Sequence, residues 1–133
     1  MTSRRLPWVI AGAAGLALAG VLLFPRVARA RHPDPRPGIT AARVLSEDAV
    51  PNTPGAAEAY AAARAMPGVM DGVYCYCHCK ETAGHRSLLT CFESTHGAYC
   101  DICMSEAMQA VQMSMNGVTL GEIRKAIDGR FKS

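Results

Sequence analysis

The sequence lacks the motifs that mark several common enzyme classes. It contains no G-x-S-x-G segment, no P-loop and no C-x-x-C-H haem-attachment site. Its acidic side chains are scattered, so no pair of carboxylates can be assigned to acid–base catalysis. Nothing in the sequence therefore indicates a hydrolase, and we favour a binding module over an enzyme.

One stretch near the N-terminus has no charge at all. Residues 6–24 read "LPWVIAGAAGLALAGVLLF", Arg4 and Arg5 precede them, and residues 28–30, Ala-Arg-Ala, fit the small-x-small pattern of a signal-peptidase site. An uncharged run of this length can also span a bilayer. We therefore expect residues 1–30 to be a signal peptide or a membrane anchor. The protein is then exported, to the periplasm or to the outer side of a membrane.

Basic charge is scarce in the rest of the chain. The sequence has 14 Lys and Arg against 11 Asp and Glu, and four of the arginines precede residue 31. Removal of those four would leave a nearly neutral protein with no basic stripe. Nucleic acid is therefore not expected as a partner.

Proline and alanine divide the remaining sequence. Residues 31–54 contain five prolines and few large apolar side chains. Proline fixes φ and lacks an N–H donor, so this segment is predicted to be a flexible linker. Residues 55–133, which begin with an alanine-rich stretch, are predicted to be a cysteine-rich α domain.

Three helices are predicted in that domain. The first covers residues 55–66 and ends before a Pro-Gly pair, and the second covers residues 101–115 and ends at Asn-Gly. The sequence "TLGE" at residues 119–122 is a capping box that opens the third. Residues 67–99 show no helical period and are expected to form an irregular, ordered loop. The fold class is therefore all-α, with three helices around a cysteine-rich loop.

Six cysteines crowd into 29 residues of this domain. In "VYCYCHCKE" three of them alternate along the chain, and an extended segment would place them on one face. In "CDIC" two more stand three residues apart at a helix start, where backbone N–H groups favour thiolates. Histidines lie among them. The candidate metal ligands are Cys75, Cys77, Cys79, Cys91, Cys100, Cys103, His85 and His96.

Three functions are compatible with this cluster. The first is a metal-binding module, because four such ligands suffice for structural zinc and six thiols can hold more than one copper(I) ion. The second is a disulfide-stapled interaction domain without metal, since exported cysteine-rich domains commonly contain disulfides. The third is a thiol–disulfide enzyme that uses Cys100 and Cys103, although the thioredoxin-type βαβ context is absent. We rank the metal-binding module first, because disulfides that converge on so short a run would be strained.

The same residues resemble a known family, the small bacterial exported proteins named for a PCYCGC motif. The stretch "AYAAARAMPGVMDGVYCYCHC" is similar to the helix, proline and cysteine run of that family, and "GHRS", "HGAYCDIC" and "EIRKAID" match further blocks between Ala59 and Lys132. Tyr74 and His78 stand where the motif has Pro and Gly. A glycine there implies an unusual φ, which histidine tolerates better than most residues. The resemblance implies an extracytoplasmic cysteine-rich domain, but the function of the family is uncharacterised.

Overall fold

The structure, a computed structural model, describes residues 32–132, and within that range it is helical and contains no strand. The all-α class is thereby confirmed for these residues. The six α-helices are α1 Ala56–Ala65, α2 Pro67–Asp71, α3 Cys79–Ala83, α4 Leu88–Phe92, α5 Asp101–Met115 and α6 Leu120–Phe131. Three short 3-10 helices cover Ala41–Arg43, Glu47–Ala49 and Thr95–Tyr99. The predicted signal or anchor at residues 1–30 lies outside the described residues. No helix between residues 32 and 132 combines the length and the hydropathy that a membrane crossing requires.

The three longer helices, α1, α5 and α6, are those that the sequence predicts. Helix α5 ends at an Asn-Gly pair in which Gly117 has φ of 79°, the left-handed conformation that glycine adopts without strain. The capping box of α6 is present, because Thr119 N–H donates to the Glu122 carboxylate at 3.0 Å and Glu122 N–H donates to the Thr119 hydroxyl at 3.4 Å.

The prediction that residues 67–99 form an irregular loop was wrong. That stretch contains the one-turn helices α2, α3 and α4 and the 3-10 helix Thr95–Tyr99. Helices this short gain little from intrinsic propensity and depend on packing. In α4, Leu88, Leu89 and Phe92 are all fully buried. Burial of these apolar side chains is what stabilises the turn.

The core joins this short-helix region to the long helices. The rings of Tyr60 in α1 and Phe92 in α4 pack edge to face with centroids 4.9 Å apart. The Tyr60 hydroxyl donates to the Ser94 carbonyl at 2.6 Å and accepts from the Ala98 N–H at 3.2 Å. One aromatic side chain therefore fixes α4 and the 3-10 helix that follows it against α1.

The segment predicted to be a linker lies against the helices in this structure. Leu45 N–H donates to the Phe92 carbonyl at 2.9 Å, and the Arg36 guanidinium pairs with the Asp71 carboxylate at 2.8 Å. These contacts connect residues 32–54 to α4 and α2. The flexibility of the segment and the domain boundary at residue 54 stay predictions.

Candidate metal centre

The three-cysteine run forms a turn and not the extended segment considered from the sequence. Its residue His78 has φ of 60° and ψ of 18°, the left-handed conformation, and is the N-cap of α3. The glycine-like φ expected at this position is thereby confirmed. The turn brings the Sγ atoms of Cys75 and Cys77 to 3.3 Å, whereas same-face neighbours in a strand would stand roughly 6.5 Å apart.

Four sulfur atoms gather around one point. Cys103 Sγ lies 3.5 Å from both Cys75 Sγ and Cys77 Sγ, and with Cys91 these atoms form a set in which every pair lies within 4.8 Å. A tetrahedral ion with metal–sulfur bonds of about 2.3 Å holds its sulfurs about 3.8 Å apart. The spacing of the set is therefore close to that of a tetrahedral thiolate site.

A second set of four donors overlaps the first. It consists of Cys77, Cys79, Cys91 and His96, again all within 4.8 Å of one another. Cys79 Sγ lies 3.4 Å from Cys91 Sγ, and Cys77 Sγ lies 3.8 Å from His96 Nε2. His85 borders this set, because its Nδ1 lies 3.3 Å from Cys91 Sγ and its ring centroid 4.6 Å from that of His96. The two sets share Cys77 and Cys91.

Four elements supply four of the six donors, and the turn before α3 supplies Cys75 and Cys77. Cys79 begins α3, Cys91 lies in α4, His96 lies in the 3-10 helix and Cys103 lies in the first turn of α5. Gly97 allows the 3-10 helix to approach α4 closely. A Cβ at this position would lie 3.0 Å from the ring of Phe92 and 3.1 Å from the carbonyl oxygen of Cys91.

Cys100 stands apart from both sets. It is the N-cap of α5, and its Sγ accepts a hydrogen bond from the Cys103 N–H at 3.5 Å. The sequence predicts a lowered thiol pKa at this helix start, but that prediction was wrong for Cys100, whose pKa is raised by burial. The structure thus brings five of the six predicted cysteines and His96 together, places His85 beside them and leaves Cys100 outside. Metal ligation by any of them stays a prediction.

The cluster is closed to solvent except at Cys77 and His96. Cys91 and Cys103 are fully buried and Cys75 and Cys79 nearly so, while Cys77 is half-buried. The thiols of Cys103 and Cys75 donate hydrogen bonds to the Cys77 sulfur and thereby lower its pKa. Cys77 is therefore the sulfur on which negative charge is best stabilised. All six cysteines are free thiols in this structure.

The histidine that borders the cluster is in the form that binds metal. Burial, followed by the neighbouring His96, lowers the pKa of His85. The imidazole is therefore neutral near pH 7, and a neutral ring nitrogen is the ligand that metals require.

A buried carboxyl group next to the cluster is absent from the predicted site. Glu106 is fully buried; its Oε1 accepts the Tyr76 N–H at 3.0 Å, and its Oε2 has no hydrogen-bond partner among the described residues. Burial raises the pKa of Glu106 to about 7, against the opposite effect of the Cys75 thiol beside it. The sequence does hold a signal for this residue, because Glu106 follows Cys103 by three positions and so shares its helix face.

Ion pairs to a buried carboxylate fix the chain just before the cysteine run. The Asp71 carboxylate, which has no solvent exposure, receives hydrogen bonds from Arg36 at 2.8 Å and from the Ser87 hydroxyl at 2.9 Å, and it pairs with Arg86 at 3.0 Å. Burial alone would raise the pKa of Asp71, but the hydrogen bonds from Arg36 and Ser87 outweigh it and lower the pKa to about 2. The start of the run is therefore held at a charged anchor.

Fold and cluster together define a small all-α domain with a buried group of cysteines and histidines. The chain belongs to the family described as proteins of unknown function with a PCYCGC motif, whose family model matches residues 39–133. The resemblance seen in the sequence is thereby confirmed, and the match begins before α1. Comparisons with curated proteins and with solved structures found no match.

Proposed function

We propose that the protein is a metal-binding module that holds zinc or copper(I) through its clustered cysteines. The observation that supports this most directly is the set formed by Cys75, Cys77, Cys91 and Cys103, whose sulfurs come from three separate parts of the chain and lie within 4.8 Å of one another. Packing alone does not require sulfur to face sulfur, whereas a tetrahedral thiophilic ion does.

The chemistry of the donors selects the class of ion. The two sets offer thiol sulfur and imidazole nitrogen, the ligands that suit zinc and copper(I). Calcium and magnesium require several oxygen ligands. The carboxyl group of Glu106, which lies beside the cluster, is buried with a raised pKa and so is a poor source of charged oxygen.

The environment of the C-x-x-C pair argues against a thiol–disulfide enzyme. Such an enzyme needs an accessible thiol with a lowered pKa. Burial raises the pKa of Cys100, and Cys103 is fully buried. Neither thiol has the properties of an attacking nucleophile, which supports the binding module.

The decisive experiment compares metal content with thiol state. The protein is purified under anaerobic, chelator-free conditions from the cells that make it, and its zinc and copper contents, free thiols and intact mass are measured. We expect bound zinc or copper, with the thiols becoming reactive once the metal is removed. A metal-free protein with three disulfides, six hydrogens lighter than the reduced chain, would overturn the proposal in favour of the disulfide-stapled domain.

We further propose that the module acts outside the cytoplasm. The support is the uncharged run at residues 6–24 and the cleavage pattern at residues 28–30. The N-terminus of the mature protein tests this, together with the cell fraction in which it is found. Cleavage predicts a chain that begins at Arg31, and retention predicts the full chain in the membrane fraction. The full chain in the cytosol would contradict export.

A further inference from the structure

The two overlapping donor sets raise the question of how many ions the cluster holds. One set contains Cys75 and Cys103, the other contains Cys79 and His96, and both contain Cys77 and Cys91. The donors form two sets of four and not one set of six, so a single tetrahedral ion uses only one of them. The two donors left over would then remain beside the ion without a metal.

We propose that the cluster binds two copper(I) ions bridged by the thiolates of Cys77 and Cys91. This inference rests on the proposed metal-binding function. Cys75 and Cys103 complete the coordination of one ion, and Cys79 and His96 complete that of the other. Each bridging sulfur has lone pairs for two metals. The protons of the coordinating thiols pass to solvent as the ions bind, and no change of oxidation state is needed.

The positions of the two shared residues fit a bridging role. Cys77 lies 3.3 Å from Cys75 and 3.5 Å from Cys103 on one side, and its sulfur lies 3.8 Å from His96 Nε2 on the other. Cys91 is fully buried and lies 3.4 Å from Cys79. These two sulfurs therefore lie within 4.8 Å of the donors of both sets, whereas each of the other donors belongs to one set.

The distance between the ions favours a monovalent metal. Two tetrahedral sites that share an edge, with metal–sulfur bonds of about 2.3 Å, place their ions about 2.7 Å apart. At equal distance the Coulomb repulsion between two monovalent ions is about fourfold smaller than that between two divalent ions. Thiolate ligands also select copper(I) as a soft ion. The shared edge is therefore compatible with two copper(I) ions and unfavourable for two zinc ions.

The test is an anaerobic titration of the reduced full chain with copper(I), against a chromophoric copper(I) chelator. We expect two ions per chain, and copper X-ray absorption should show a copper neighbour at about 2.7 Å. A parallel titration with zinc should end at one ion per chain. Two zinc ions per chain, or two copper ions without a copper–copper distance, would overturn the bridged pair.

Matched variants locate the second ion. Cys79→Ser and His96→Gln remove donors of one set only, so each should bind one copper(I). Cys100→Ser and His78→Asn replace a cysteine and a histidine outside both sets, and asparagine tolerates the left-handed φ of residue 78, so both variants should keep two. The X-ray absorption measurement on the unaltered chain remains decisive if a variant fails to fold. One copper(I) in the unaltered chain would refute this inference and leave the proposed function intact, whereas no bound metal at all would refute both.

Discussion

Cys77→Ser should destabilise the metal-loaded protein as a whole. Cys77 belongs to both donor sets and accepts hydrogen bonds from the Cys75 and Cys103 thiols. Serine keeps a polar atom of similar shape but replaces a soft sulfur ligand with a poor oxygen ligand. The variant therefore tests whether the cysteine cluster cross-links the short helices to α5.

The size of the effect follows from the number of ligands. A structural zinc site contributes about 10–16 kcal/mol to folding, which is roughly 3 kcal/mol for each of four ligands. A domain of about 100 residues has a total stability of about 5–15 kcal/mol. Since 1 kcal/mol shifts the melting temperature of such a domain by about 4–8 °C, we expect a fall of about 12–24 °C. In the metal-free, reduced protein the fall should be much smaller.

The assay is thermal unfolding of wild type and variant, each with and without bound metal, at equal protein concentration. Cys100→Ser is the control, because Cys100 lies in neither set and serine is a favourable N-cap for α5. An unchanged midpoint for metal-loaded Cys77→Ser would refute the cross-linking argument. Equal losses for the two variants would show a general cost of replacing cysteine.

Three further changes test the surroundings of the site. Because the pKa of Asp71 is lowered from 3.8 to about 2, its charged form should contribute about 2 kcal/mol of stability above pH 4 that is lost as the pH falls towards 2. In urea unfolding, Asp71→Asn should therefore be less stable than wild type by an amount that shrinks over that interval. A difference in stability that stays constant with pH would contradict this. His78→Gly should raise the free energy of unfolding by about 0.5–1 kcal/mol and with it the melting temperature, since glycine relieves the left-handed strain at some entropic cost. A lower melting temperature would disprove the strain. Gly97→Ala should cost about 1–3 kcal/mol and weaken metal binding, because its Cβ presses on Phe92 and on the Cys91 backbone; chelator competition beside thermal unfolding would show whether both change.

The longer helices could be predicted because their signals are local. In α1 the signal is the alanine-rich composition, and in α6 it is the Thr119–Glu122 capping box. Each of these signals involves only residues that are close together in the sequence. The short helices have no such signal. Helix α4 exists because Leu88, Leu89 and Phe92 find a buried surface, and that surface is formed by distant parts of the chain. A single sequence does not show which distant surfaces will meet.

Most members of the cluster were predictable from the sequence, whereas their arrangement was not. The density of cysteines between residues 75 and 103 was sufficient to nominate the site. The central position of Cys91 depends on how α4 packs against the turn before α3, and the separate position of Cys100 depends on its use as a helix cap. The same limit applies to Asp71, whose partner Arg36 lies 35 residues earlier in the chain.

Burial by itself does not identify a cysteine as a ligand, because a free thiol packs like a small apolar group. Cys103 shares its helix face with Ala107 and Ala110, which are just as buried and carry no polar atom. What separates the thiols from such residues is the direction in which they point. Their sulfurs lie 3.3–3.5 Å from other sulfurs, and a polar side chain is buried beside them. If the cysteines only filled space in the core, burial of the Glu106 carboxyl beside them, with one oxygen unpaired among the described residues, would not be expected. The free-energy cost of burying that carboxyl group is compatible with selection for a polar, ion-binding centre. It is difficult to reconcile with cysteines that serve only as apolar core residues.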